Sequence, residues 1–108
     1  MKMAFKAAFI AHAPDAEPEK HRCMVDTGKY VLFVVVVRDQ SQAIAAARDL
    51  VAREGIHSIL LCPGFTHADI AELAAAVGPG VGVSVAREDA PSGRVSAAAL
   101  QREWGFPK

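Results

Sequence analysis

The chain has 108 residues, 52% of them hydrophobic and 22% charged, with twelve basic side chains balanced by twelve acidic ones. That length and composition describe one folded domain, here taken as residues 1–108, globular rather than disordered. A formal net charge of zero argues against nucleic-acid binding and against attachment to an anionic membrane, both of which need a basic surplus. It also leaves little repulsion between copies, so a homo-oligomer is expected.

Lys2–Ala11 reads as a first strand closed by His12, with Phe5, Phe9 and Ile10 as its apolar residues. No apolar run here is long enough for a signal peptide. The longest run, Tyr30–Val37, falls far short of the ~20 residues of a membrane helix, so a cytoplasmic protein is expected. Ala13–Arg22 holds Pro14 and Pro18 and reads as a polar loop, since proline lacks a donor and restricts its predecessor. Cys23–Asp26 is a short strand, Asp26–Lys29 a turn on Gly28, and Tyr30–Val37 a β-branched strand without polar alternation. Such a strand is expected at the centre of the sheet and covered on both sides, with Cys23–Asp26 able to pair beside it as an antiparallel hairpin over 23–37.

Asp39 or Ser41 caps a helix that runs to about Glu54, with Ile44, Ala47, Leu50 and Val51 as its stripe and Gly55 as its stop. Ile56–Leu61 is the next strand. Thr66 and Asp69 form a capping box for a second helix, whose Ile70, Leu73, Ala74 and Val77 keep helical spacing. Gly80–Ala86 is a last strand, and Ser92 caps a third helix that ends near Trp104. The order β, (β), β, α, β, α, β, α predicts a compact three-layer α/β domain. Its sheet is mainly parallel, of four or five strands, with three helices. A ferredoxin-like split βαβ arrangement fits three helices poorly.

In a parallel sheet the carboxyl ends of the strands share one edge. That edge gathers His12, Arg38, Asp39, Cys62, Phe65, Thr66, His67 and Arg87, with Ser92 just beyond. Helix N-termini and guanidinium groups suit a small anionic ligand. Cys62 is the candidate nucleophile and His12 or His67 the base, because a thiolate near a helix start with an imidazole in reach is the arrangement of thiol chemistry. Arg38, Asp39, Phe65, Thr66, Arg87 and Ser92 are the candidate ligand contacts. Thr66 and Ser92 have the plainer role of caps, and Cys62 that of a small buried residue. The cysteine spacing gives no zinc signature and no disulfide framework, so no metal is expected and the cofactor stays open. Gly78–Gly82 precedes a strand, where a dinucleotide loop would follow one. Ser84 falls inside a strand, so it is no nucleophile elbow. The alternative is a non-enzymatic interaction protein, whose apolar strand and Trp104–Phe106 tail form a subunit interface.

The stretches AAFIAHAPDA, LFVVVVRD, GIHSILLCPGFTHADIAELAAAVG and GVGVSVARED together resemble a family of small bacterial and archaeal proteins of unknown function, of about this length. Its more specific marks are CPGFTH and GVSVAR, here Cys62–His67 and Gly82–Arg87. The resemblance implies a stand-alone domain and supplies no catalytic residues.

Overall fold

The computed structural model describes residues 4–105. Its elements are β1 (Phe5–His12), β2 (Arg22–Asp26), β3 (Tyr30–Val37), α1 (Gln40–Glu54), β4 (Ser58–Leu61), α2 (His67–Val77), β5 (Gly82–Val85) and α3 (Ala90–Trp104). They form an α/β domain on one five-stranded sheet in the order β2-β3-β1-β4-β5. Every pairing is parallel except β2 with β3. The mainly parallel sheet, three helices and antiparallel hairpin follow the sequence reading. Tyr30–Val37 is not the central strand, however, and α1 and α2 cover only its Val35–Val37 side, so the expected helix layer on the second face is not formed by them. That position belongs to β1, flanked by β3 and β4.

The hairpin turns where Gly28 has φ 100 and its N–H donates to Asp26 Oδ1 at 2.8 Å. Only glycine adopts that backbone without strain, and the aspartate side chain completes the turn. Helix α1 starts at Asp39, whose carboxylate accepts the Gln42 N–H, and stops at Gly55 with φ 65. Its buried residues are Ala43, Ala46, Ala47 and Leu50, whereas Ile44 is only half-buried. The helix is therefore rotated from the expected stripe. It turns its alanines inward because small side chains let it sit close to the sheet. Thr66 and Asp69 exchange both bonds of the expected capping box at α2. Helix α3 departs from expectation. It begins at Ala90 with Asp89 as N-cap and Pro91 in its first turn, so Ser92 lies inside the helix and does not cap it. Proline is suited to that first turn because its missing donor would have had no partner there.

A single core joins Ile10, Val35, Val37, Ile59 and Leu61 of the sheet to Ala43, Ala47 and Leu50 of α1 and Leu73 of α2. Helices α1 and α2 thus pack on the same face. This follows from two right-handed crossovers that both step the same way across the sheet. Helix α3 buries none of its residues. On the far face, Phe5, Tyr30 and Leu60 remain 47, 43 and 41% exposed. No described helix is long and apolar enough to cross a membrane.

Candidate functional site

The carboxyl edge of the sheet opens into a cleft of about 590 Å³. Its floor is the end of β1 and the loop after it, through His12 and Pro14, and the Cys62–Gly64 turn after β4. Arg38 closes one side, and Glu88 of the loop before α3 and Leu100 and Trp104 of α3 lie over it.

His12 is held from several directions. Its ring stacks on Phe65, with centroids 4.0 Å apart and planes 28° apart. Phe65 is itself 5% exposed, so it acts as a fixed platform for the imidazole rather than as a wall of the cleft. Nδ1 of His12 lies 3.9 Å from Cys62 Sγ. Burial lowers the His12 pKa from its ordinary 6.5, against the opposing pull of the Asp69 and then the Asp39 carboxylates. Desolvation disfavours the charged ring, so His12 is neutral at physiological pH and competent to accept a proton. Gly64 keeps the approach to the pair open. A Cβ there would sit 3.3 Å from His12 Nδ1 and 3.6 Å from Cys62 Sγ.

Arg38 is anchored by one guanidinium N–H, which donates to the Ala16 carbonyl at 2.7 Å. Ala16 is buried, so this bond ties the proline-containing loop to the rim of the cleft.

The remaining expected residues have other work. Asp39 accepts from Gln42 N at 2.9 Å as the α1 cap. Thr66 is bound to Asp69 in both directions. Each of these helix starts thus has one first-turn N–H bound by its own cap, the Asp39 carboxylate at α1 and the Thr66 hydroxyl at α2, and a carboxylate beside it that opposes a bound anion. His67 is the exposed first residue of α2, and the imidazole beside Cys62 is that of His12. Arg87 pairs with Asp89 at 2.7 Å with its side chain 86% exposed, and neither Arg87 nor Ser92 lines the cleft. His57, at the opposite edge, accepts the Lys6 N–H and stacks on Phe5. His21 accepts the Glu17 N–H in its loop. Both have structural roles.

Sequence reasoning missed Leu100 and Trp104 as walls. The signal was present: Ala97, Leu100 and Trp104 keep the i, i+3, i+7 spacing of one helix face. What that face would meet was not legible. Among the described residues, no group of three or more His, Cys, Asp or Glu side chains is arranged to hold a metal ion. Phe106, the other aromatic of the expected tail, lies outside the described residues.

Compared with known protein families, residues 5–101 match a family of unknown function (DUF6506). The chain belongs to that family. Comparison with curated proteins and with solved structures gave no match. Membership agrees with the resemblance in one respect, that the family is one of unknown function, and brings no assigned activity with it.

Proposed function

We propose that this member of the family binds a small monoanionic molecule in the cleft at the carboxyl edge of its sheet, and that the His12–Cys62 pair is the reactive end of that cleft. The observation that carries this is an imidazole 3.9 Å from a thiol, in the same cleft as Arg38. The unused N–H groups of Arg38 offer a carboxylate a charge-assisted contact. Glu88 lines the same space, and its like charge disfavours a ligand with a second negative group. Leu100, Trp104 and Pro63 suit a short apolar body between the two ends. His12 takes the thiol proton, and the Cys62 thiolate is then the nucleophile.

The two cysteines allow an internal control, since Cys23 is exposed and Cys62 is half-buried. The folded protein is treated with limiting iodoacetate or iodoacetamide, and each site is quantified by peptide mass spectrometry. The two reagents differ in the charge of one small group. The Cys62-to-Cys23 ratio is expected to be several-fold higher with iodoacetate, and Arg38→Met is expected to abolish that preference. Equal ratios with the two reagents would remove the anion site. A Cys62 slower than Cys23 with both would remove the activated thiol.

A further inference from the structure

Alternation along each strand and the register between strands assign every strand residue to a face. Phe5 pairs with Tyr30, Ala7 with Leu32 and Ser58, and Phe9 with Val34 and Leu60. Val25 joins this set opposite Leu32, and Ser84 joins it opposite Leu60. No strand residue on this face is charged, although charged residues make up 22% of the chain. A solvated sheet face alternates apolar-in with polar-out, and this one does not. Neither α1 nor α2 reaches it, because both belong to the core on the other side. A shallow hollow of about 390 Å³ lies on it between Phe5, Phe9, Tyr30, Leu32 and Leu60.

The size of the molecule bears on what covers this face. The accessible surface is 6918 Å², against about 5,800 Å² for a compact monomer of this mass. The radius of gyration is 14.5 Å, against about 13 Å for a chain of this length. The molecule therefore leaves more surface in water than a compact monomer does, through α3, which buries none of its residues, as well as through this face. Five strands span about 19 Å across, and the eight-residue strands run about 26 Å. Allowing for the shorter strands, two such faces pressed together bury roughly 900 Å², at the low end of specific interfaces, where weak and reversible dimers lie. An uncharged face is complementary to a copy of itself, and a net charge of zero sets no long-range repulsion against the encounter.

We propose that the open face is a dimer interface, on which a second copy of this chain packs its own β1, β3 and β4. The two sheets form the centre of a four-layer particle, with α1 and α2 of each copy outside. Aligned sheets pack about 10 Å apart and rotated by about 30°, which leaves both carboxyl-edge clefts at the rim and open. The dimer stands independently of any ligand in the cleft.

Sedimentation equilibrium of the full chain tests this. The expected mass is twice 11.4 kDa. Leu60→Glu is expected to give the monomer mass with unchanged far-UV circular dichroism, because it buries a carboxylate only when two faces meet. A wild-type monomer across the accessible concentrations overturns the proposal. One that co-floats with neutral phosphatidylcholine vesicles also overturns it and gives the face to a lipid surface instead. A folded Leu60→Glu chain that stays dimeric overturns it as well. Should that chain not fold, Ser84→Glu, at an exposed serine of the same face, decides in its place.

Discussion

On one face of the sheet, Ile10, Ile59 and Leu61 are fully covered by α1 and α2. On the other, Phe5, Tyr30 and Leu60 keep more than two-fifths of their surface. The strands that supply the two faces are the same, and residues one apart in sequence go to opposite sides. The sequence pattern of β3, YVLFVVVV, is equally apolar on both. Apolarity therefore marks a surface that must be covered, and the direction of the crossovers decides which side the chain covers for itself. The side it leaves bare is the one on which we propose that a second copy packs.

The largest expected effect separates the faces directly. Ile59→Ala removes a fully buried side chain and is expected to destabilise the fold by about 2–5 kcal/mol in urea denaturation. The neighbouring Leu60→Ala is expected to reduce stability by less than about 1 kcal/mol in dilute, monomeric protein, since the lost side chain was already partly in water. Comparable losses at the two positions would mean that the two faces are covered alike.

A second contrast sharpens it along the helices. Thr66 caps α2, which closes one face of the core, and Thr66→Ala is expected to cost about 1 kcal/mol through the lost Asp69 bond. Ser92 lies in α3, which buries no residue and takes Asp89 as its cap. Ser92→Ala is expected to stay within about 0.5 kcal/mol of wild type. A Ser92 effect as large as that of Thr66 would mean that α3 is capped differently from this description.

The smallest expected effect lies at the rim where both faces end. Burial sets the folded His12 pKa below its ordinary 6.5, so near pH 6 the unfolded chain binds more protons than the folded one. Stability contributed by this group is therefore full above pH 6.5 and is lost as pH falls from there through the folded pKa. The ring resonance of His12 in an NMR titration is expected to have a midpoint below 6.5, and His12→Gln is expected to flatten that part of the stability profile. A midpoint at or above 6.5 would show the imidazole better solvated, or more strongly held by Asp69 and Asp39, than its stacked position beside Phe65 implies.

The element order, the hairpin at Gly28, the capping box at Thr66 and Asp69, and the carboxyl edge where His12, Arg38 and Cys62 come together are all legible in the order of residues. Each follows from a local rule of backbone conformation, side-chain period or strand direction. Packing in three dimensions made β1 the central strand, turned the alanines of α1 inward in place of Ile44, and set His12 rather than His67 beside Cys62. It alone brought Trp104 and Leu100 over the cleft, and it alone left one apolar face without a helix. Those outcomes depend on distances between elements far apart in the chain. Period and propensity along a single strand or helix carry no information about such distances.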